Sequence, residues 1–472
     1  MARRKIIIDT DPGVDDILAL LLAFATLPEE LEVLLVSVTY GNIDVQNCLR
    51  NVVSLFYHIE QEIAWRERQG RSTGFETLRK TKPLVAVGPD HPLNDQILMA
   101  DHFRKSRSLH PSMTPDEAWK ALFNPEEKAQ DPVMAASAFE LPQRNTLFNV
   151  SHRPSHLEIL RLLRESEPDT ITIVAIGPLT TLALAAAEDP ETFLRVKEVI
   201  VMGGTIDQAG NVSPLTPPHP RSPITPEPPY RLIKQAPGPI RDLLNLRNQI
   251  TPLAEFNTFA DAYAAARVYA LTSPNPHTTL PPTPPAPPGV DPAGDAPPPF
   301  LAPYPDKLSR RLKVALFPLD ITERHLLTRG EYRKVITPLL EAKSPLAEWT
   351  EAFLSSTFDK IETLQKDVSG DTVSLQLHDP LCIYYCITSS DSRWKMNKDE
   401  DIRIETSGQW TRGMCVVDKR TRKKREDGDV GEQPGDSGNW LSGQAGNRLM
   451  RCVGSPGEET FGGYMLKRIF NL

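Results

Sequence analysis

The chain has 472 residues, so it is long enough to bury a large hydrophobic core. Its 53 lysines and arginines against 61 aspartates and glutamates give a net charge of −8, which argues against a surface that coats nucleic acid. The five cysteines are an odd number scattered along the chain, which argues against a disulfide framework and suits a reducing compartment. No stretch supplies the ~20 apolar residues of a membrane span, and the first apolar run, 6–8, is too short for a signal peptide. We therefore expect a cytoplasmic protein without a membrane partner.

Short apolar runs alternate with helical patterns along the N-terminal part of the chain. The runs at 6–8, 33–39, 84–87, 171–176 and 199–202 are predicted to be buried strands, and the patterns at 17–25, 45–56 and 179–187 to be helices. Strands that alternate with helices are typical of a parallel sheet covered on both faces. The sequence thus predicts an α/β fold, an open and mostly parallel sheet with helices on both faces, in a single domain over 1–472. Ligands bind such sheets at the carboxyl ends of strands, so the polar residues there are the first functional candidates.

Three segments interrupt this pattern and are predicted to be inserts, as surface loops or disorder. Segments 212–249 and 273–305 are rich in proline, and 418–438 is charged with few apolar residues. The basic cluster at 419–425 is flanked by Asp418, Glu426 and Asp427, which favours a solvated loop over a contact with nucleic acid.

Four aspartates stand within eight residues directly after the first predicted strand: Asp9, Asp11, Asp15 and Asp16. Acids in the first turn of a helix interact favourably with its dipole, but this accounts for one or two of the four. A bound cation would remove the repulsion among them, and clustered carboxylate oxygens suit Ca²⁺ or Mg²⁺. An EF-hand is excluded because Gly13 stands fifth in this segment, where that loop needs an acid or asparagine. The same glycine disfavours a phosphotransfer site of the Asp-x-Asp-x-Thr/Val type.

Segment 9–16, Asp-Thr-Asp-Pro-Gly-Val-Asp-Asp, resembles the signature of the calcium-dependent nucleoside hydrolases, the inosine–uridine-preferring ribohydrolase family. Other segments that resemble this family follow in order over most of the chain: 39–42, 177–180, 202–204, 254–257, 318–322 and 378–380. The extra segments and the C-terminal sequence are similar to the fungal branch. The resemblance implies hydrolysis of a ribonucleoside, the small-molecule substrate, to free base and ribose by a Ca²⁺-bound water. It also implies a homo-oligomer, either a dimer or a tetramer.

The resemblance assigns roles to individual residues. It makes Asp11 the general base and a calcium ligand, and it makes His378 the proton donor to the leaving base. Its other implied ligands are Asp16, Asp379 and the main-chain carbonyl of Ile176, with ribose hydroxyls completing a shell of roughly 6–8 oxygens. The residues that match ribose-binding positions are Asp15, Asn42, Asn211, Glu255 and Asn257.

Ordinary structural roles compete with some of these assignments. Asn42 follows a predicted strand, where asparagine is common in turns. Glu255 and Asn257 stand directly before a helical run and are also typical of a helix start. A histidine beside an aspartate, as at His378, is more often hydrogen-bonded than catalytic.

The chain departs from the family at one segment near the active-site entrance. Relatives carry His-Gly-x-Asp-Gly-Leu-Gly there, whereas residues 100–108 read Ala-Asp-His-Phe-Arg-Lys-Ser-Arg-Ser. A flexible loop that closes over a site excludes water and sets the productive geometry. The absence of the Gly-rich segment favours a second hypothesis, a family member that binds calcium and ribose without efficient turnover.

The second departure is a 38-residue segment, 212–249, that stands inside a family motif. Its removal joins Asn211 to Ile250 and restores Gly-Asn-Ile-Thr-Pro-Leu-Ala-Glu-Phe-Asn. Every valine codon begins with GT and glutamine can be encoded by CAG, so Val212 and Gln249 can supply both splice sites of an intron of 38 codons, or 114 nucleotides. We predict that 212–249 is a translated intron. The competing interpretation is a genuine proline-rich loop, which a protein surface tolerates because closure entropy grows slowly with length.

Overall fold

The computed structural model of the chain describes residues 3–94, 123, 147–211, 252–283, 298–364, 368–420, 422–425 and 434–472. Segment 212–249 and the divergent residues 100–108 lie outside the described residues, as do parts of the other two predicted inserts.

Among the described residues, nine strands form the central sheet. They are β1 (Arg4–Thr10), β2 (Leu31–Val38), β3 (Leu84–Val87), β4 (Asn149–Val150), β5 (Ile171–Ala175), β6 (Glu198–Met202), β7 (Val314–Phe317), β10 (Lys395–Glu400) and β13 (Leu449–Gly454). Two antiparallel ribbons lie outside it, β8 (Leu326–Thr328) with β9 (Ser374–Gln376) and β11 (Ile402–Ile404) with β12 (Cys415–Val417).

Thirteen α-helices lie in the described part of the chain. They are α1 (Val14–Phe24), α2 (Val45–Arg68), α3 (Glu76–Lys80), α4 (Ser155–Glu165), α5 (Thr180–Glu188), α6 (Pro190–Phe193), α7 (Phe256–Ala260), α8 (Ala262–Ala270), α9 (Leu319–Thr322), α10 (Arg329–Glu341), α11 (Pro345–Leu364), α12 (His378–Thr388) and α13 (Phe461–Phe470). None of these helices is both long enough and apolar enough to cross a membrane.

The strands of the sheet follow the spatial order β10-β13-β7-β6-β5-β1-β2-β3-β4. Every neighbouring pair is parallel except β10 with β13. The predicted α/β class, with an open and mostly parallel sheet, is therefore confirmed. All five strands predicted from the apolar runs are present, and the run at 84–87 matches β3 at both ends.

The two faces of β1 are both buried under helices. Ile6 and Ile8 belong to a core that includes α1, α2 and α12, whereas Ile7 belongs to a second core that includes α4, α5 and α8. All three isoleucines are fully buried. Because successive side chains of a strand point to opposite faces, a strand covered on both sides needs an apolar residue at every position. The uninterrupted run at 6–8 is the sequence signal of that arrangement.

β1 lies between β5 and β2, at the point where the strand order reverses. The chain continues from β1 to β2, β3 and β4 on one side, and later to β5, β6 and β7 on the other. The loops that leave β1 and β5 therefore diverge, and such a crevice at the carboxyl ends of strands is where ligands bind in open α/β sheets. These two loops begin at Asp11 and Ile176, so the fold places two predicted site residues at the crevice.

The described parts of two predicted inserts contact the rest of the chain. Tyr304, in segment 273–305, is buried in the core. In segment 418–438, Lys424 forms an ion pair with Asp401 at 3.0 Å, and Asp436 accepts the Leu441 N–H at 2.9 Å. The description of the chain as one domain with three inserts stays a prediction. The five cysteines are buried with free thiols.

Candidate active site

The loop after β1 is held by Asp16, which lies in the first turn of α1. The Thr10 hydroxyl donates to Asp16 Oδ1 at 2.6 Å, and the Gly13 N–H donates to Asp16 Oδ2 at 2.9 Å. The first N–H groups of a helix lack partners within the helix. A carboxylate in the first turn that accepts the N–H of the residue before the helix, here Gly13, therefore stabilises the helix start. The loop therefore turns back on itself and fixes the Asp16 side chain at the carboxyl end of β1.

Three aspartates converge beside this loop. One carboxylate oxygen from each of Asp15, Asp16 and Asp379 lies within 4.8 Å of the other two. Asp379 comes from the first turn of α12, so the cluster joins distant parts of the chain. Asp16 and Asp379 are buried and Asp15 is half-buried. Carboxylate oxygens are the ligands that Ca²⁺ and Mg²⁺ prefer, so this acidic cluster can bind a divalent ion.

Burial and mutual repulsion disfavour the charged forms of these carboxyl groups. Burial, followed by the charge of Asp16, raises the pKa of Asp15 to about 7. Burial raises the pKa of Asp16, and burial together with the neighbouring aspartates raises the pKa of Asp379 well above its usual value. The three charges are therefore unfavourable together, and a cation between them would remove that repulsion.

The Asp11 carboxylate lies between two glycines. A Cβ atom added to Gly41 would lie 2.0 Å from Asp11 Oδ2, and one added to Gly177 would lie 2.7 Å from Oδ1. The Asn42 N–H donates to Oδ2 at 2.7 Å, whereas Oδ1 is buried and has no hydrogen-bond partner among the described residues. Burial, followed by the charges of the neighbouring aspartates, raises the pKa of Asp11 well above its usual value. Because a buried acceptor without a partner is costly, Oδ1 is a position for a bound group or a proton.

Asn42, in the loop after β2, forms hydrogen bonds with Asp11 and Asp16. Its side-chain Nδ2 donates to the Asp11 main-chain carbonyl and to Asp16 Oδ2, both at 3.1 Å. Asn42 is half-buried, and its contacts go beyond those of a simple turn residue. Since the amide hydrogens are used here, the side-chain oxygen is the part of Asn42 to consider for a ribose hydroxyl.

The loop after β5 is tied to α7 by Asn257. Asn257 Nδ2 donates to the Ile176 main-chain carbonyl at 3.0 Å, so this predicted ligand already accepts one hydrogen bond. A carbonyl oxygen has two lone pairs, and one of them is still available for a cation.

Glu255 caps the start of α7. Its Oε1 accepts the Asn257 N–H at 2.6 Å, and its Oε2 accepts the N–H groups of Thr258 at 2.9 Å and Gly204 at 2.8 Å. Burial raises the pKa of Glu255, and these hydrogen bonds oppose that rise. The helix-start interpretation is therefore correct for Glu255, and a role in ribose binding would come in addition to it.

Asn211 is exposed and lies beside the first residue of α7. Its Oδ1 accepts the Phe256 N–H at 2.8 Å, and the preceding Gly210 N–H donates to the Pro252 carbonyl at 2.7 Å. The two chain ends that flank segment 212–249 are therefore in direct contact. The sequence predicted Asn211 as a ribose-binding residue, and its side-chain oxygen is occupied by this main-chain contact.

His378 is the first residue of α12 and is half-buried. Its Nδ1 lies 2.8 Å from the Thr322 hydroxyl oxygen. Burial lowers the pKa of His378 to about 4, so the imidazole is neutral at pH 7. A neutral imidazole still carries one N–H, so His378 can donate a hydrogen bond without carrying a charge.

Contacts connect many of the residues that the sequence predicted for this site, whereas the side chains of Asn211 and His378 contact Phe256 and Thr322. Asp11, Asp16 and Asn42 touch one another, Asp379 meets the aspartates of α1, and Asn257 contacts both Ile176 and Glu255. The compact acidic cluster contains Asp15, which the sequence assigned to ribose, alongside two of the predicted ligands. The roles given to individual residues stay predictions.

The sequence interpretation gave no role to Thr10, Gly41 or Gly177. All three lie in the segments that carry the resemblance, so their position was visible. Their function was not, because a glycine is needed against Asp11 only once the loops after β2 and β5 approach it.

A family model described as inosine-uridine preferring nucleoside hydrolase matches residues 6–433. An uncharacterized protein of Schizosaccharomyces pombe is 32% identical over 419 residues, which cover 88% of this chain and 89% of that protein. Uridine nucleosidase 1 of Arabidopsis thaliana is 32% identical over 211 residues, covering 44% of this chain and 48% of that protein, which is about half its length. A pyrimidine-specific ribonucleoside hydrolase of Klebsiella pneumoniae is 23% identical over 420 residues, covering 88% of each chain.

Solved structures share the fold over nearly the whole chain. A plant nucleoside hydrolase matches with a TM-score of 0.56 and 17% identity, covering 99% of each chain. A purine-preferring ribonucleoside hydrolase from Gardnerella vaginalis matches with the same TM-score of 0.56 and 17% identity, covering 99% of this chain and 98% of that one.

Proposed function

This chain belongs to the inosine-uridine preferring nucleoside hydrolase family and is a ribonucleoside hydrolase, and we propose that Asp11 is its catalytic base beside a Ca²⁺ site. The observation that carries the proposal is Asp11 Oδ1, which is buried without a hydrogen-bond partner among the described residues and lies close to two aspartates of the acidic cluster. A general base needs a free acceptor atom, and Oδ1 is one.

The residues present fit a divalent cation. Several buried carboxylates lie close together, their pKa values are raised by burial and repulsion, and Asp11 Oδ1 lacks a partner among the described residues. The donors are all hard oxygens, as Ca²⁺ requires. We propose that Asp11, Asp16, Asp379 and the Ile176 carbonyl would hold the ion. When bound, such an ion orients a water molecule and makes it easier to deprotonate.

The chain's own groups then divide the remaining work. Asp11 Oδ1 takes the proton from the attacking water, and Gly41 and Gly177 keep the carboxylate in place. Asp15, Asn42, Asn211, Glu255 and Asn257 are proposed to bind the ribose, whose ring carries positive charge as the N-glycosidic bond breaks. His378, which is neutral at pH 7, donates a hydrogen bond from its ring N–H to the departing base.

The test of the proposed function is release of ribose from uridine and inosine, with and without a chelator. We expect turnover with Ca²⁺ and none after chelation. Turnover that survives complete chelation would contradict the ion's role. Ribose and calcium binding without turnover would favour the impaired family member suggested by the missing Gly-rich segment. Relatives include both uridine and purine-preferring enzymes, so this assay also decides the preferred base.

The location and the assembly of the protein also stay predictions. The buried free thiols suit the reducing environment of the cytoplasm. The resemblance to the family is the basis for expecting a dimer or a tetramer, which light scattering on the full chain would test.

Gly41→Ala is expected to reduce turnover by about 10²-fold, since displacing a catalytic group by about 1 Å has an effect of this size. The added Cβ would lie 2.0 Å from Asp11 Oδ2, so the carboxylate must move. Steady-state kinetics on uridine would measure the loss. Gly463→Ala is the matched control, because a Cβ at Gly463 meets nothing within 4 Å. Equal kinetics for the two variants would contradict the positioning of Asp11 by Gly41.

His378→Ala is expected to slow hydrolysis of inosine and uridine by about 10²-fold or more and to affect a nitrophenyl riboside far less. Nitrophenolate is a good leaving group and needs no proton or hydrogen bond to depart. Comparing kcat/KM for the two substrate types measures the difference. His91→Ala, a change at an exposed histidine, is the control. Equal losses on both kinds of substrate would remove His378 from this role.

Stabilisation by Ca²⁺ is expected to increase with pH. The pKa of Asp15 is raised to about 7, so without the ion its contribution to stability falls as pH rises from about 4, the usual aspartate value, through 7. The ion replaces protons in the cluster, so its effect is largest where the carboxyls would be charged. Thermal unfolding with Ca²⁺ or a chelator should show a larger Tm difference at about pH 8 than at about pH 5.5. Asp379→Asn should reduce the Tm difference between Ca²⁺ and chelator, whereas the exposed control Asp371→Asn should not. A Tm difference that does not change with pH would contradict the site.

A further inference from the structure

Asp261 is a buried residue outside the proposed site, and its carboxylate connects loops that surround the site. Asp261 stands between α7 and α8 and is fully buried. Its Oδ1 accepts the Ala264 N–H at 2.9 Å and thereby caps α8. Its Oδ2 accepts the Leu93 N–H at 2.9 Å and the Thr180 hydroxyl at 2.7 Å. Capping uses one oxygen, and the second oxygen reaches the loops that follow β3 and β5.

The connection continues from Thr180 to the loop after β2. The Thr180 and Tyr40 hydroxyl oxygens lie 3.0 Å apart, and both residues are fully buried. A carboxylate only accepts hydrogen bonds, so Thr180 gives its hydrogen to Asp261 and must accept from Tyr40. The Tyr40 hydroxyl therefore donates to the Thr180 hydroxyl, which in turn donates to Asp261. These two hydrogen bonds fix the orientation of both hydroxyl groups.

Each member of this chain stands next to a group of the proposed site. Tyr40 precedes Gly41 and Asn42, which hold Asp11. Thr180 is the first residue of α5, shortly after Ile176 and Gly177. Asp261 directly follows α7, which carries Asn257. The three segments therefore meet at Thr180.

We propose that Thr180 and Asp261 are positioning residues, which set the distance between the Asp11 carboxylate and the ribose-binding side chains. The inference rests on the proposed function, because it depends on the roles given there to Asp11, Asn42 and Asn257. The hydrogen bonds to the buried Asp261 carboxyl group, at 2.7 and 2.9 Å, are directional and hold the loops more firmly than apolar contacts alone. Removing the Thr180 hydroxyl withdraws one hydrogen bond from Asp261 and one from Tyr40.

The test compares Thr180→Val, which keeps the shape but removes the hydroxyl, with Thr180→Ser, which keeps the hydroxyl. We expect Thr180→Val to lower kcat/KM on uridine and inosine by about 10- to 100-fold and Thr180→Ser to recover most of it, since a displacement near 1 Å has an effect of this order. Thr357→Val is the matched control. It removes another buried threonine hydroxyl, whose hydrogen bond stays within α11 at 2.8 Å.

Thermal unfolding separates positioning from general stability. Both valine variants should lower Tm, but only Thr180→Val should lower kcat/KM at a temperature where all variants are folded. If Thr180→Val and Thr357→Val have the same kcat/KM there, the inference is wrong. Absence of turnover in the unaltered protein would instead contradict the proposed function. In that case the inference is tested by ribose affinity, measured by calorimetry. A weaker affinity of Thr180→Val than of the unaltered protein supports the inference, and equal affinities overturn it.

Discussion

Asp11→Asn is expected to abolish turnover, with a loss of about 10³-fold or more, because a general base alone contributes 10²- to 10⁴-fold and the substitution also removes a proposed ligand. Asparagine has nearly the same shape as aspartate. Its amide oxygen can accept the Asn42 N–H, which in the unaltered protein donates to Asp11 Oδ2 at 2.7 Å. The NH₂ group then occupies the place of Oδ1, where it can neither accept a proton nor bind a cation.

The same substitution should not unfold the protein. It removes one charge from a buried cluster of repelling aspartates, so the Tm without Ca²⁺ should rise or stay unchanged. The Tm gain on adding Ca²⁺ should shrink, because a ligand is gone. Kinetics and thermal unfolding on the same preparation measure both effects, with Asp371→Asn as the exposed control that keeps turnover and the Ca²⁺ response. An Asp11→Asn variant with more than about a tenth of normal turnover would contradict the assignment, since losing a general base should reduce the rate further.

The sequence predicted the N-terminal half of the sheet well because its strands are buried on both faces. Such strands need apolar residues at every position, and the runs at 6–8 and 84–87 show this directly. β7, with the sequence Val-Ala-Leu-Phe, carries the same signal and was not among the predicted strands, whereas β8, β9 and β10 carry none. β10 has the sequence Lys-Met-Asn-Lys-Asp-Glu at the edge of the sheet, and β8 and β9 have three residues each. Edge strands are often polar, and short strands show no period, so neither could be predicted from pattern.

The site was predictable as a set of residues but not as a set of contacts. The four aspartates after β1 indicated a cation site because their charges need compensation. The hydrogen bonds of Asn42 to Asp11 and Asp16 depend on how closely the β2 loop approaches the β1 loop. That approach is a property of the folded sheet and has no signature in either segment alone. The same holds for Asp261, which looks in sequence like an ordinary helix cap.

Described residues on either side of segment 212–249 lie close together in the fold, which bears on the origin of the segment. The Gly210 N–H donates to the Pro252 carbonyl at 2.7 Å, and a Cβ at Gly210 would lie 2.3 Å from the Ala254 carbonyl oxygen. Gly210 is therefore packed against Pro252 and Ala254, directly before α7. Removing 212–249 would leave three residues, Asn211, Ile250 and Thr251, to connect Gly210 to Pro252. Three residues are enough to connect two antiparallel segments joined by such a hydrogen bond.

Deletion of 212–249 is accordingly expected to give a folded and more stable enzyme. By length alone, a connection of 41 residues, 211–251, costs about 2 kcal/mol more to close than one of three residues, because each doubling of length adds about 0.6 kcal/mol. We expect a higher Tm for the deleted chain and turnover of uridine and inosine at least equal to that of the full chain. As a matched control, a chain in which 212–249 is replaced by a glycine-serine linker of equal length should not gain this stability. Loss of turnover on deletion, with a folded product, would show that the segment serves the enzyme.

The messenger RNA tests the origin of the segment independently of the enzyme. Val212 and Gln249 can supply the GT and AG ends of an intron, and its 114 nucleotides keep the reading frame when retained. The translated-intron prediction therefore expects mature transcripts that join the codons of Asn211 and Ile250 and encode the uninterrupted motif. A proline-rich loop that is native to the protein gives no reason for a family motif to be restored at the junction. Transcripts that all retain the 38 codons, together with normal turnover of the full chain, would contradict the prediction and establish 212–249 as a genuine loop beside the ribose-binding segment.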